Sequence, residues 1–286
     1  MAIPKKVSDR ITAGLKQLVP IIQQQRARDV SEADTVTLVK EVFAEILGYN
    51  KFLELTSEFA IKGTYCDLAI KIEEKLCELV EVKAIGLTLS ERHLKQAIDY
   101  AANQGIEWVI LTNAVVWQLH HVIFAKPIDS RLVVEFDITT VDPKKEADLE
   151  LVFPFTKEGF MKGVPAEIRD RQDATSRFLI AALLLHNESV RTIIRRELRK
   201  VVDVNVTEQE VLAVLEAEVL KRDSLEGPAA EKAVDQVKRA QKAAQKAKPV
   251  RSPTTTAEAD LVDVPEASIA AEPVSASPPP TDELPA

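Results

Sequence analysis

The sequence predicts an α/β sandwich built on a mixed sheet, and three observations carry that prediction. The first is a pair of β-rich runs, Gly63-Thr64-Tyr65-Cys66-Asp67-Leu68-Ala69-Ile70 and Leu79-Val80-Glu81-Val82-Lys83, with only Lys71 to Glu78 between them. The second is Trp108-Val109-Ile110-Leu111-Thr112-Asn113, a short continuous apolar run of the kind found in a strand buried on both faces. The third is helical periodicity on either side of these strands.

Residues 7–27 place Val7, Ile11, Leu15, Leu18 and Ile22 at helical spacing, and Pro20 is expected to end or kink that helix. Ser31-Glu32-Ala33-Asp34 reads as an N-cap with acids in the first turn of a helix that stops at Gly48-Tyr49. Residues 52–61 alternate as a strand, the hairpin follows, and Gly86 breaks its second arm. Ser90 caps a helix through Leu94, Ala97, Ile98 and Ala101 that ends at Gln104-Gly105. Val116 to Phe124 and Arg131 to Ile138 read as further strands. Beyond Val141-Asp142-Pro143 helices are expected over 172–187, 188–201 and from the capping box Thr207-x-x-Glu210. From Gly227 the Ala/Lys/Gln-rich chain reads as a frayed or solvated helix, and from Lys248 as a disordered, acidic Pro/Ser/Ala-rich tail. The expected organisation is an N-terminal helix (1–30), a sheet domain (31–141), a helical region (142–226) and the frayed helix and tail (227–286).

A tight turn over Glu73-Glu74-Lys75, centred on Glu74, sets Asp67 directly opposite Glu81 on one face. Lys83 points to that face too, while Leu68, Ile70, Val80 and Val82 point into a core. Facing carboxylates destabilise a strand pair unless something compensates. A divalent cation held between these hard oxygen ligands would do so, and the lysine could offset charge on a phosphorane-like transition state. The plainer reading is a solvated hairpin face on which Lys83 neutralises the acids.

Composition bounds the alternatives. With 46% hydrophobic and 29% charged residues the chain has the make-up of a soluble protein. No apolar run suggests a membrane span or secretory signal. The two cysteines, Cys66 and Cys77, cannot form a disulfide framework or a four-cysteine zinc site, and fit a reducing cytoplasm. The net charge of −8 is uneven: residues 1–150 carry 18 basic and 23 acidic side chains, residues 151–250 carry 18 and 15, and residues 251–286 carry 1 and 7. An acidic chain argues mildly against tight nucleic-acid binding. No phosphate-cradling Gly-rich loop is present. The four histidines lack metal-ligand spacing. Arg191, Arg195, Arg196 and Arg199 cluster on one helix, either as solvated charge or as phosphate contacts. Gln96 and Tyr100 share a helix face one turn apart.

Taken together, these residues resemble the PD-(D/E)-x-K nuclease superfamily. They are most similar to the nuclease domain at the N-terminus of type I restriction enzyme R subunits. The matching elements are a Glu-bearing helix ending in Gly48-Tyr49, then Asp67, then Glu81-Val82-Lys83, then Gln96-x-x-x-Tyr100. The resemblance covers about residues 30–140 and implies a restriction-endonuclease-like mixed sheet flanked by helices. It implies Asp67 and Glu81 as Mg²⁺ ligands, with Mn²⁺ able to substitute, the Val82 carbonyl as a further ligand and Lys83 as the catalytic lysine. Gln96 and Tyr100 would position the site or DNA. The acid of the first helix, a further metal ligand, matches best at Glu32, with Glu41 and Glu45 as alternatives. Cys66 stands where the superfamily's name has proline. The helicase motor of that subunit is absent from these 286 residues, so no ATP-driven translocation is expected. The implied activity is Mg²⁺-dependent hydrolysis of DNA phosphodiesters, in restriction, defence or repair. A homodimer or a partner subunit is left open. The competing function is a non-catalytic module that binds nucleic acid or a partner and keeps the nuclease fold.

Overall fold

The first helix, α1 (Lys5–Ala27), runs through Pro20 rather than stopping there. A proline inside a helix costs about 3 kcal/mol. Here Val7, Ile11, Leu15, Leu18 and Ile22 are all buried, at roughly 1.5–3 kcal/mol each, which outweighs it. The computed structural model describes residues 2–61 and 64–246, so Gly63 and the tail beyond residue 246 lie outside the described residues. Residues 1–239 form one compact unit and 240–286 a second, of which only residues 240–246, the end of a helix, are described. Among the described residues, no helix is long and apolar enough to cross a membrane.

The second helix, α2 (Glu32–Val42), starts as expected, with Ser31 Oγ accepting from the Asp34 N–H at 3.3 Å. A π-helical turn, Phe43–Leu47, extends it to Gly48, whose φ of +82° ends it. Glycine is required there twice over, since a Cβ would also sit 2.4 Å from the Arg10 guanidinium. The strand expected from residue 52 begins only at Leu55. Asn50 Oδ1 accepts from the N–H groups of Phe52 and Leu53 and folds residues 51–54 into a turn.

Strands β1 (Leu55–Ile61), β2 (Thr64–Ile72) and β3 (Lys75–Val82) form an antiparallel meander. The β2–β3 turn is not centred on Glu74. Glu73 and Glu74 form a two-residue loop with φ of 51° and 64°, the signature of a type I′ turn, pairing Ile72 with Lys75. A bulge between Ile70 and Lys71 then shifts the register by one, so that Leu68 pairs with Val80. The last pair of the ladder, Leu68 with Val80, thus has the register that would set Asp67 opposite Glu81, and the ladder ends before those two residues. After α3 (Glu91–Gln104, closed by Gly105 at φ +68°), β4 (Trp108–Thr112) pairs in parallel with β3. Strands β5 (Val116–Ile123) and β6 (Asp129–Asp137) complete the antiparallel remainder of a six-stranded sheet in sequence order.

Helices cover both faces. One face carries Leu68, Ile70, Val80, Val82 and Ile110, packed with α1 and α2 around Trp117. The other carries Ala69, Leu79, Val109 and Leu111, packed under Leu94, Ala97, Ile98 and Ala101 of α3. Strand β4 feeds both clusters, which is why its run is continuously apolar.

Beyond the sheet the chain is more helical than its periodicity indicates. Three short helices not expected from the sequence, α4 (Glu146–Val152), α5 (Lys157–Met161) and α6 (Val164–Ala174), precede α7 (Arg177–His186). Phe153, Phe155 and Val164 from this stretch enter the main core. The helix expected over 172–187 is split, because Ser176 Oγ caps the Leu179 N–H at 3.2 Å and starts a new one. Helix α8 (Glu188–Val202) follows, then α9 (Glu208–Val214), which opens on the expected Thr207–Glu210 capping box. The last helix, α10 (Pro228–Lys246), is not merely solvated: Ala233 and Val237 are buried in a cluster with Ala182 of α7.

Candidate active site

Asp67 and Glu81 lie one step beyond Leu68 and Val80, where the β2–β3 ladder opens. Side chains take over from the backbone there. Asp67 Oδ2 accepts the Val82 N–H at 2.7 Å, and the Cys66 thiol donates to the Val80 carbonyl at 3.2 Å. Across the sheet the Lys83 N–H donates to Thr112 O at 2.8 Å, which fixes the residue that carries the ammonium. Lys83 Nζ stands 2.6 Å from Glu81 Oε1 and 3.6 Å from Glu32 Oε1. Helix α2 brings Glu32 there because its first turn is pinned to the chain after β3: Thr35 Oγ1 accepts the Ile85 N–H at 3.1 Å.

Two carboxylates therefore flank one ammonium, and Asp67 adds its charge from farther off. Glu81 is only 6% exposed and Lys83 is largely covered, whereas Glu32 is half in solvent. Burial raises the Asp67 carboxyl above its ordinary value, although the Val82 N–H and Lys83 pull the other way. Burial also raises Glu81, against its bond to Lys83 and with the Asp67 charge adding to the rise. For Lys83, burial alone would lower the ammonium, but the hydrogen bond and charge of Glu81, with Glu32 and Asp67, hold it above its ordinary value. With all three acids ionised the cluster carries two uncompensated negative charges. That excess and the all-oxygen donor set suit a hard divalent cation. Among the described residues, no three His, Cys, Asp or Glu side chains are gathered closely enough to form a ready-made metal cluster.

No known protein family, curated protein or solved structure matches this chain.

The remaining candidates fall in several places. Glu41 forms an ion pair with Lys51 at 2.8 Å and Glu45 is exposed, so Glu32 is the α2 acid that reaches the lysine. Gln96 Nε2 donates to the buried Tyr100 hydroxyl at 3.0 Å on α3. On α8, Arg191 reaches Glu208 and the Leu185 carbonyl, and Arg195 donates to Val206 O at 2.8 Å. Both tie α8 to neighbouring segments. Arg196 pairs with the adjacent Glu197, and Arg199 is exposed.

Sequence reasoning missed Glu78. It has the strand parity of Val80 and Val82, an acid at a core position, and that parity was the available signal. It is fully buried: Oε2 accepts from the Tyr49 hydroxyl at 3.0 Å and Oε1 has no partner. Burial pushes its carboxyl up to about 8, so it is largely protonated at neutral pH. Glu78 with Tyr49 at one end of α2, and Lys83 and Ile85 with Glu32 and Thr35 at the other, tie that helix along β3.

Proposed function

We propose that the chain is a divalent-metal-dependent phosphodiesterase with a restriction-endonuclease-like fold, acting as an endonuclease on DNA. The observation that carries this reading is the convergence of Asp67, Glu81 and Lys83 at the open end of the β2–β3 ladder, with Glu32 arriving from α2. The resemblance in Glu81-Val82-Lys83 and Gln96-x-x-x-Tyr100 supports the same reading.

Asp67 and Glu81 would hold Mg²⁺ or Mn²⁺, with Glu32 and the Val82 carbonyl as further ligands. Such an ion supplies Lewis acidity and an activated water. The Val82 N–H fixes the Asp67 rotamer and leaves Oδ1 without a hydrogen-bond partner among the described residues. Glu81 holds the Lys83 ammonium in place, so its charge is positioned before substrate arrives and can offset the negative charge growing on a phosphoryl oxygen. Gln96 and Tyr100, already bonded to each other, would orient the site or the strand. Arg196 and Arg199, on the solvent side of α8, would meet phosphates.

One observation favours the second reading, a binding module that keeps the fold: Lys83 pairs with Glu81 at 2.6 Å, so the lysine by itself neutralises one of the acids. Nicking of supercoiled DNA in Mg²⁺, Mn²⁺ and EDTA separates the two. Cleavage by the parent that needs metal, and is lost in Asp67→Asn and Lys83→Ala, supports the enzyme. A parent with no nicking and no metal-induced rise in melting temperature at millimolar Mn²⁺ leaves the binding module.

A further inference from the structure

Helix α3 packs over β3 and β4 and leaves the same face of β5 and β6 open, and a groove of about 620 Å³ lies between them. That volume is in the range of sites that hold small organic ligands. The walls are apolar, with Ile98 from the helix, Leu111 from β4 and Leu132 from β6. The polar groups of its floor are Gln118 and His120, on one face of β5, with Gln118 Oε1 and His120 Nε2 3.2 Å apart. His120 is 7% exposed, and burial pushes its imidazole down to about 4, so the ring is uncharged at neutral pH. The Gln118 amide is already engaged, with Nε2 donating to Glu135 and Oε1 bonded to His120, so a flat, uncharged ring with donors and acceptors on its rim would bind here by exchanging those contacts between the aliphatic walls. At the mouth, Lys95 can meet an anionic group, while Asp99 and Asp129 can accept from hydroxyls or exocyclic amines.

The register sets this groove beside the carboxylates. Glu81 pairs with Leu111 and Leu111 with Gln118, so the three stand in one row at about 5 Å per strand. We propose that the groove holds one unpaired nucleotide, its base against Gln118 and His120 and its phosphate toward Lys95, so that the preferred nucleic acid is single-stranded beside the reacting phosphate. The part about cleavage rests on the nuclease reading; the binding does not. A paired base cannot enter without leaving its stack, which costs a few kcal/mol and sets the preference for unpaired substrate.

Binding is measured in EDTA, where no cleavage occurs, using a labelled single-stranded oligonucleotide and the blunt duplex of the same sequence. The variants are Leu132→Glu and Lys95→Glu, both at exposed positions outside the carboxylate cluster. Expected is an affinity for the single strand about tenfold above that for the duplex, lost in both variants, with deoxyadenosine monophosphate competing better than inorganic phosphate at millimolar concentration. Equal binding of the two nucleic acids, affinity unchanged in both variants, or inorganic phosphate competing as well as the mononucleotide overturns the proposal. Cleavage in Mg²⁺ by the parent and Lys83→Ala is scored separately. A parent that cuts but is indifferent to strand state and to Leu132→Glu sinks the groove alone. A parent that never cuts but keeps groove-dependent binding sinks catalysis alone.

Discussion

Glu78 is an acid in an apolar core, and its consequence is a pH-dependent stability. Its carboxyl sits at about 8 in the folded chain and returns to an ordinary value near 4.5 on unfolding. Between those values the unfolded chain gives up its proton first. The stability that Glu78 contributes is therefore fully present below about 4.5 and is lost progressively as pH rises to about 8. Glu78→Gln cannot ionise. Its melting temperature should gain on the parent steadily between about pH 5 and about pH 8, and a constant difference would show that Glu78 does not titrate in that window. Asp67 makes a second prediction. Alanine there removes a repulsion but also orphans the buried Val82 N–H, whereas asparagine keeps an acceptor. Asp67→Ala should be less stable than Asp67→Asn by roughly 1–3 kcal/mol in EDTA, read from urea melts. Equal stability would mean that the N–H finds another partner.

At the scale of the element, α8 divides its arginines by role. Arg191 is largely covered and serves both Glu208 and the Leu185 carbonyl, while Arg199 is exposed in the last turn. Arg191→Ala should cost about 1–3 kcal/mol, and Arg199→Ala no more than about 0.5 kcal/mol. Comparable losses from the two would contradict this division. If α8 meets DNA, neutralising Arg196 and Arg199 together should weaken binding to every sequence and flatten its salt dependence, without the cost in stability that Arg191→Ala carries. An unchanged salt slope would leave both as surface charge. Helix α2 gives a test of backbone geometry. Gly48→Ala must both occupy a left-handed conformation and displace Arg10, which bonds to the Ile46 carbonyl and to Glu158. A loss above about 1 kcal/mol is expected, and a neutral outcome would mean that the turn can rearrange.

For the whole molecule, burial is unevenly distributed. Trp117, fully buried, contacts Phe43, Phe136 and Phe155, so a helix before the sheet, the sheet itself and the segment after it share one core. Helices α7 to α10 rest on small clusters instead, Ala182, Ala233 and Val237 in one and Leu185, Val211 and Leu215 in the other. Local opening follows buried contact, so amides of α8 and α9 should exchange with solvent at a lower opening free energy than those of β3 and β4. Hydrogen exchange under native conditions reads this directly, and uniform protection across residues 5–239 would show a single cooperative unit.

A mixed α/β architecture, the main strands and helices of the sheet region and the place of Asp67, Glu81 and Lys83 near one end of β2 and β3 were legible in the residues alone. These follow from short-range chemistry: the parity of apolar residues on β2 and β3, the unbroken run of β4, the caps at Ser31 and Thr207, and the glycine stops at Gly48 and Gly105. Tertiary structure decided what depends on contacts between distant residues. It carried α1 through Pro20, because its buried stripe outweighs one lost backbone bond. It set Leu68 against Val80, one step before Asp67 and Glu81, through a bulge that no local propensity marks. It chose Glu32 over Glu41 and Glu45, because only the first turn of α2 is pinned beside Lys83 by Thr35 and Ile85. It also turned Arg191 and Arg195 inward and buried Glu78 beside Tyr49. A residue's type limits which partners it can satisfy, but only the packed chain selects among them.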